Sequence, residues 1–237
     1  MWPSLFLLTA HLLLPAQAAD PPGTFMGRTL AQTMSYHGAP WLTRASRQKE
    51  ERPDLLHAFL GLEPGDTACD IGSGNGFHTL PMAKMVAPGG LALGVDIQPE
   101  MLALLQERAA AAGVTNVRGV RNTQASVGLP EGTCDVALMV DVYHELAEPA
   151  AMLATLRDAL QADGELVIVE YRDEDPSVPI KPLHKMSKAQ VHQELTANGF
   201  KLVRQRDDLP WQHVMAYQRS DGPAAPVTPS AWSRPQP

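Results

Sequence analysis

Three closely spaced glycines and one distant carboxylate form the first candidate binding site in this sequence. Gly72, Gly74 and Gly76 follow a short apolar run. Glycines permit a tight turn and the close approach of a ligand, and the helix expected after them points its N-terminus at the same place. Asp96 comes 20 residues after Gly76, behind a second apolar run. A carboxylate there can accept from ribose hydroxyls, or it can cap the helix that begins at Pro99. The pattern predicts a nucleoside-containing ligand.

The spacing of the glycines argues against a dinucleotide. That fingerprint reads G-x-G-x-x-G/A, and here Phe77 occupies the position of the last small residue. A dehydrogenase that uses NAD also has an acid after its second strand, but this glycine spacing disfavours it.

A second polar cluster follows the apolar run that ends at Val140. It comprises Asp141, Tyr143, His144 and Glu145, a set of side chains that is hard to explain as core at the end of a strand. The ordinary pKa of histidine lies near neutrality, so His144 is a candidate general base, with Tyr143 and Asp141 as catalytic partners. The structural alternative is that His144 is a loop histidine that caps the next element.

Alternating strands and helices must position both clusters. Apolar runs predict strands over 67–71, 91–95, 116–120, 135–140 and 165–169, with helical patterns between them. Two closing runs, 200–206 and 213–219, predict an antiparallel hairpin. This order predicts an α/β fold with a Rossmann-like, doubly wound, mostly parallel sheet. Ligands of such sheets bind beyond the carboxyl ends of the strands.

The sequence resembles a known superfamily at two motifs. DIGSGNG over 70–76 and GVDIQPEML over 94–102 are similar to the first two motifs of class I S-adenosylmethionine-dependent methyltransferases, and the resemblance covers roughly residues 53–219. The stretches SYHGAPWLTR and VPIKPLHKMSKAQ resemble bacterial methyltransferase-like proteins of unassigned substrate. The resemblance implies a seven-stranded sheet with an antiparallel last hairpin, S-adenosyl-L-methionine as the cofactor, and enzymatic methyl transfer.

The resemblance also assigns cofactor contacts. It implies that Asp96 binds the ribose and that Ile97 flanks the adenine. The family often has an acid after the third strand for the adenine amino group, and here the amide oxygen of Asn122 or Gln124 could accept instead. The residues implied at the methionine end are Asp70, Gly72, Ser73, Gly74 and Gly76, with Asp70 either holding the loop or facing a cationic group.

For the methyl acceptor, the resemblance places the cluster after the fourth strand opposite the methyl group. Further substrate contacts are predicted at Tyr36, His37, Trp41, Glu170 and Arg172. The proline-rich segment 176–186 is either a lid or a strap over the sheet edge. Asp141 and Glu170 raise the alternative of a divalent cation, but the spacing of cation-dependent methyltransferases is not reproduced, so no metal is predicted.

Composition limits the class of partner. The chain has 237 residues and a formal net charge of −7, which disfavours a general nucleic-acid binder. No uninterrupted apolar run reaches the ~20 residues that span a membrane. The prediction is therefore a small-molecule acceptor, with the acceptor atom and the oligomeric state left open. The alternatives are a non-catalytic module that binds S-adenosylmethionine or a nucleoside, and a methyltransferase for RNA or protein.

The two ends and the two cysteines bear on the compartment. Residues 1–19 resemble a secretory signal peptide that lacks the usual positive region, and this predicts export to the periplasm. The alternative is that translation starts at Met26, which would leave the protein in the cytoplasm, the compartment in which the cofactor is made. The remaining chain divides into a substrate-covering segment (20–52), a methyltransferase domain (53–220) and a disordered proline-rich tail (221–237). Cys69 and Cys134 fall at opposite ends of their strands, an offset above ~10 Å, so no disulfide is predicted.

Overall fold

The computed structural model describes residues 20–233, and within them a single large sheet dominates. Its long strands are β1 (Thr67–Ile71), β2 (Leu91–Asp96), β3 (Val117–Arg121), β4 (Cys134–Val140), β5 (Leu160–Arg172), β6 (Phe200–Arg206) and β7 (Gln212–Arg219). Their order is β3-β2-β1-β4-β5-β7-β6. The first five strands run parallel, and β7 is antiparallel to both β5 and β6. The predicted fold class is therefore confirmed. A two-residue strand, Lys185–Met186, pairs with the end of β5.

Helices follow most strands, as the apolar patterns predicted. They are α1 (Arg47–Glu50), α2 (Pro53–Leu60), α3 (Thr79–Met85), α4 (Pro99–Ala111), α5 (Pro149–Ala159) and α6 (Lys188–Ala197). Proline begins α2, α4 and α5, because a first-turn N–H has no partner within the helix. The Ser187 hydroxyl accepts from the backbone N–H of Gln190 at 3.2 Å and so caps the start of α6.

The strands are buried on both faces because successive residues point into different layers. Ala68 packs in one apolar cluster with Leu56 of α2 and Met82 of α3. The next residue, Cys69, packs in another with Leu153 of α5. This alternation is the two-residue period of a strand. The buried layers hold the carboxyl ends of β1, β2 and β4 at one edge.

A disulfide joins Cys69 of β1 to Cys134 at the start of β4, with the Cα atoms 5.9 Å apart. The sequence-based prediction of two separated thiols is therefore wrong. It assumed regular pairing along the whole of both strands. The two strands pair only over residues 68–70 and 136–138, and the pairing of β4 with β5 shifts register between Cys134 and Val136. The rise of an ideal strand consequently does not set the separation of the cysteines.

The chain ends lie against the domain where they are described. Residues 20–52 include a 3₁₀ helix, Tyr36–Thr43, that contacts the edge formed by the strand ends. The tail differs from the predicted disordered segment, since the Val227 N–H donates to the Leu202 carbonyl and the Trp232 ring lies 4.9 Å from the Arg172 guanidinium. The signal-like residues 1–19 and residues 234–237 lie outside the described part. Among the described helices, none combines the length and apolar character needed to cross a bilayer.

Candidate functional site

A cavity of about 770 Å³ opens at the carboxyl ends of the central strands. Two groups of its lining residues follow different strands. We call the residues that follow β1, β2 and β3 the glycine-turn wall, comprising Gly72, Gly74, Asp96, Ile97 and Asn122. We call those that follow β4, together with one from the proline-rich segment, the histidine wall, comprising Asp141, His144, Glu145 and His184.

The glycine turn places backbone against the cavity at two positions. The N–H groups of Gly72 and Ser73 both donate to the Val95 carbonyl, which ties the turn to the end of β2. Gly72 has a φ of 73°, and a Cβ there would lie 2.5 Å from Cγ2 of Val142. Gly76 serves packing instead, since a Cβ there would meet Leu105 of α4 at 2.3 Å. Gly72 and Gly74 therefore line the cavity, whereas Ser73 and Gly76 do not.

Asp96 is held rigidly by the backbone around it. Its Oδ2 accepts from the N–H of Gly74 at 2.8 Å and its Oδ1 from the N–H of Gln98 at 2.9 Å. Burial raises the pKa of this carboxyl, and the backbone hydrogen bonds oppose that effect. A carboxylate oxygen can accept more than one hydrogen bond, so each oxygen keeps capacity toward the cavity. The alternative role predicted for Asp96, as the cap of the helix at Pro99, is not confirmed, because Gln98 is the N-cap residue and the bond from Asp96 to its N–H lies before the helix.

The polar end of the glycine-turn wall carries an amide with unused capacity. Asn122 lines the cavity, and its Nδ2 donates to the Thr123 carbonyl. Its Oδ1 is buried and has no hydrogen-bond partner within residues 20–233. Because a buried polar atom is normally paired, this oxygen is suited to accept from a ligand amine. Gln124 also lines the cavity but is exposed.

The N-terminal segment closes over both walls. The Gln98 side chain accepts from the Tyr36 N–H at 2.7 Å and donates to the Met34 carbonyl at 2.9 Å. The Met34 N–H in turn donates to Glu145 Oε2 at 3.1 Å. Trp41 lines the cavity, but it is 51% exposed. The segment thus covers the cavity mainly through hydrogen bonds from its backbone to two side chains, Gln98 near the glycine-turn wall and Glu145 in the histidine wall.

His144 lies at the centre of the histidine wall. Its Nδ1 is 2.6 Å from Glu170 Oε2, and its backbone N–H donates to Glu170 Oε1 at 3.2 Å. The buried carboxylate therefore assigns the proton to Nδ1 and leaves the Nε2 lone pair facing His184, whose Nδ1 is 3.0 Å away. Burial alone would lower the pKa of His144, but Glu170 outweighs it, with smaller contributions from Glu145 and Asp141, so the pKa is raised.

Glu145 completes this arrangement. Its Oε1 lies 3.8 Å from His144 Nε2 and 3.6 Å from His184 Nδ1. Burial raises the pKa of Glu145, and burial followed by the nearby His144 lowers that of His184. Three side chains from two segments thus converge on one point of the cavity.

Asp141 sits in an unusual backbone conformation at the end of β4. Its φ is 53°, a left-handed value that Asp tolerates better than most residues. Oδ2 accepts from Gln212 Nε2 at 2.7 Å, while Oδ1 is buried without a hydrogen-bond partner in the described chain. Burial and then the charges of Glu51 and Glu170 raise its pKa well above the usual range. A local outlier of this kind at a cavity wall is typical of functional positions.

Several predicted site residues are placed elsewhere. Tyr143 is fully buried, and its hydroxyl donates to Glu194 Oε2 at 2.7 Å, so the predicted catalytic position is corrected to a structural one. Arg172 is also corrected, because its guanidinium donates to backbone carbonyls that include those of Asp207 and Gln212. The 3₁₀ turn at Tyr143–Glu145 explains the first case, since neighbouring side chains there diverge.

The other predicted residues support the cavity from outside. Glu170 is fully buried behind His144 rather than at the surface of the cavity. Tyr36 and His37 do not line the cavity, and their rings lie 4.1 Å apart. Asp70 accepts from the Thr79 hydroxyl at 2.5 Å, which ties the turn to α3, and burial raises its pKa to about 6.

Sequence reasoning placed Glu145 in the polar cluster without giving it a role, and it gave none to His184 or Gln98. Glu145 directly follows His144, and that adjacency was the signal available for it. His184 was considered only as part of the proline-rich segment. Outside the two walls, the cavity is also lined by Tyr171, whose hydroxyl donates to Glu51 at 3.0 Å. These contacts bridge many residues of sequence, and no local pattern encodes them.

Comparisons with known proteins agree with this geometry. A family model described as a methyltransferase domain matches residues 62–221. The chain is 42% identical over 60 residues to an arsenite methyltransferase of Halobacterium salinarum, which is 25% of this chain and 15% of that protein. It is 32% identical over 121 residues to a protein-L-isoaspartate O-methyltransferase of Korarchaeum cryptofilum, covering 48% and 52% of the two chains. The chain thus spans about half or less of the length of these relatives. The crystal structure of a SAM-dependent methyltransferase from Aquifex aeolicus superposes with a TM-score of 0.73 at 25% identity, over 78% of this chain and 98% of that one.

Proposed function

Because the chain belongs to the class I S-adenosylmethionine-dependent methyltransferase family, we propose that it transfers a methyl group from S-adenosyl-L-methionine to a small-molecule acceptor. The observation that carries the proposal is a single covered cavity that contains both walls. One wall offers hydrogen-bond acceptors for a nucleoside, and the other offers titratable side chains beside it. A cavity of ~300–1,000 Å³ is typical for ligands of small-molecule size.

The glycine-turn wall fits the cofactor by the chemistry of its donors and acceptors. Asp96 is oriented by two backbone amides and keeps acceptor capacity for two hydroxyls. The unpaired oxygen of Asn122 can accept from the adenine amino group, in place of the acid that the family often has there. Gly72 presents bare backbone, since a side chain there would collide with Val142. When bound, S-adenosyl-L-methionine supplies an electrophilic methyl group on a sulfonium, which passes to an electron pair of the acceptor and leaves a thioether.

The histidine wall holds and orients the acceptor. Glu170 fixes the His144 ring, so that Nε2 can accept a proton from an acceptor that has one to lose. Asp141 offers its unpaired oxygen for a hydrogen bond from the acceptor. The N-terminal segment, bonded to Gln98 and Glu145, excludes water from both groups. Alignment and exclusion of water are the contributions that such a transfer requires of a protein.

The test is calorimetric titration of S-adenosyl-L-methionine into the purified chain and into Asp96→Asn. Asn keeps the shape but removes the charge and one acceptor, so we expect about 100-fold weaker binding, from charged hydrogen bonds of roughly 1.5–3 kcal/mol each. Asp158→Asn is the matched control, because its side chain is 65% exposed and remote from the cavity lining. A folded protein without measurable binding would contradict the proposal.

Activity separates the alternatives. S-adenosylhomocysteine release would be followed with panels of phenols, alcohols, thiols and amines, and separately with peptides and RNA. Release with a small molecule supports the proposal, and release only with a peptide or RNA would favour a macromolecular substrate. Tight cofactor binding with no turnover on any panel would favour a non-catalytic binding module.

We also propose that the protein works in an oxidising compartment outside the cytoplasm. The support is the disulfide between Cys69 and Cys134, since such bonds persist mainly in exported proteins. The test is to trap cellular thiols with an alkylating agent at once on lysis and to measure the mass of the chain. Two unmodified cysteines in a periplasmic fraction agree with export, whereas two alkylated cysteines in the cytoplasm would overturn it.

A further inference from the structure

Three ligand-type atoms of the histidine wall form a compact triangle. The sides are 3.0 Å between His144 Nε2 and His184 Nδ1, 3.8 Å between that Nε2 and Glu145 Oε1, and 3.6 Å between His184 Nδ1 and the same oxygen. The point equidistant from the three atoms is about 2.0 Å from each of them, which matches zinc–nitrogen and zinc–oxygen bonds of about 2.0–2.2 Å. A simple hydrogen bond between two imidazoles needs no carboxylate oxygen at this third corner.

The surroundings of the triangle supply the support that a metal site needs. Glu170 accepts from the other ring nitrogen of His144 at 2.6 Å and also holds its backbone N–H. A carboxylate on the far nitrogen fixes the ring and makes Nε2 a better ligand. Glu170 itself is fully buried, so its charge stays directed at this ring.

The triangle also faces open space. All three residues line the cavity, so a cation bound to them would keep at least one coordination position toward it. Three protein ligands with an open position are the arrangement of catalytic rather than structural zinc sites. Two nitrogens and one oxygen favour zinc and similar transition metals over magnesium or calcium, which prefer oxygen alone.

We propose that His144, Glu145 and His184 bind one zinc-like divalent cation whose open position faces the cavity. For the acceptor, and resting here on the proposed methyl transfer, this indicates a compound that binds the cation through a hydroxyl or thiol. The Nε2 lone pair of His144 would then bind the cation and not act as a base. The cation would lower the pKa of the bound hydroxyl or thiol, so that its proton is released to solvent as the acceptor binds.

The cation also gives the proline-rich segment a defined position. His184 ends the 3₁₀ turn Pro182–His184, and Ile180 and Lys181 of the same segment line the cavity. The His184 side chain is 31% exposed, so this ligand can leave and return without unfolding the core. Metal binding would therefore fix the segment that was predicted as a lid or a strap.

The test is calorimetric titration of ZnCl₂ into the purified chain, without a histidine tag and after treatment with a chelator. We expect one equivalent to bind with micromolar or tighter affinity, and MgCl₂ not to bind at the same concentrations. His184→Ala should weaken zinc binding by at least about 100-fold, and Glu170→Gln by about 10–100-fold. His37→Ala is the control, because this exposed histidine lies outside the cavity lining.

Folding and function are separated by two further readouts. Circular dichroism melting shows whether each variant is folded, and zinc should raise the melting temperature of the parent but not of His184→Ala. Titration of S-adenosyl-L-methionine reports on the proposed function by itself. The metal proposal is overturned if zinc does not bind stoichiometrically, or if a folded His184→Ala binds it as well as the parent does, whatever the outcome for the cofactor.

Discussion

The glycine-turn wall presents mainly backbone and one carboxylate, whereas the histidine wall presents four titratable side chains from two segments. In the first wall, Asp96 accepts from two backbone amides, that of Gln98 two residues away and that of Gly74, which lies 22 residues earlier in the glycine turn. In the second, His144 depends on Glu170, 26 residues away, and on His184, 40 residues away. The difference teaches that the nucleoside is recognised by a motif of fixed spacing held by backbone amides, while the acceptor chemistry depends on contacts between side chains that follow no such motif.

The disulfide is the covalent link between the two walls, since β1 leads to the glycine turn and β4 leads to Asp141 and His144. Replacing Cys69 and Cys134 together by Ala should lower the free energy of unfolding by about 4 kcal/mol, from the entropy released by opening a loop with a separation of 65 residues. Urea unfolding checks this value. Reduction of the parent chain should reproduce the loss, and a change below about 1 kcal/mol would show that the link contributes little.

Gly72 is the noncovalent contact between the walls, because its missing Cβ makes room for Val142. Gly72→Ala should cost about 3 kcal/mol, from left-handed strain of ~1–2 kcal/mol and overpacking of ~1–3 kcal/mol. The measurement is chemical unfolding, together with titration of S-adenosyl-L-methionine. Gly61→Ala is the matched control, since its φ of 67° is similar but nothing lies within 4 Å of an added Cβ.

The comparison of these two alanine variants isolates the clash. We expect the control to lose only the strain, about 1 kcal/mol, and to bind the cofactor like the parent chain. Adding Val142→Ala to Gly72→Ala should recover part of the difference. Equal losses at the two glycines would mean that the walls are not packed against each other as the structure places them.

How far each wall was predictable depends on whether its residues form a motif of recognisable spacing. The spacing from the glycines to Asp96 was readable, and the two strands that lead to them, Thr67–Ile71 and Leu91–Asp96, have nearly the predicted bounds. The disulfide was mispredicted because the register shift near Cys134 arises from the pairing of β4 with its neighbour, and the sequence of a single strand does not show it. Tyr143 was assigned to the cavity because periodicity does not show which way a short 3₁₀ turn directs each side chain.

A pair of histidines, the buried His78 and the half-buried His57, makes stability depend on pH. His57 Nε2 lies 3.0 Å from His78 Nδ1, and Arg47 donates to the other nitrogen of His78, so His57 is the acceptor. Burial lowers the pKa of His57 to about 4, with a further lowering from the charge of Arg47. Below about pH 6.5 the unfolded chain therefore binds a proton at His57 that the folded chain does not bind. The free energy of unfolding is thus highest above that pH and falls as the pH decreases toward 4.

Between pH 7 and pH 5 this single histidine should remove about 2 kcal/mol from the free energy of unfolding. His57→Gln keeps an acceptor for His78 but does not titrate, so it should show a smaller loss over the same range. Urea unfolding at both pH values gives the comparison, with His37→Gln as an exposed control. A parent and a His57→Gln chain with the same pH dependence would refute the assignment.

The smallest expected effect distinguishes two amides at the rim of the glycine-turn wall. Asn122 Oδ1 is buried without a partner in the described chain, whereas Gln124 is exposed. Asn122→Ala should weaken S-adenosyl-L-methionine binding by about 10-fold, the value of one hydrogen bond of roughly 1–1.5 kcal/mol, and Gln124→Ala should leave it unchanged. Calorimetry with adenosine, which lacks the methionine part, should show the same 10-fold loss, because the contact is with the base. If Gln124→Ala weakens binding and Asn122→Ala does not, the adenine base is held from the solvent side, and the unpaired oxygen of Asn122 serves a different ligand.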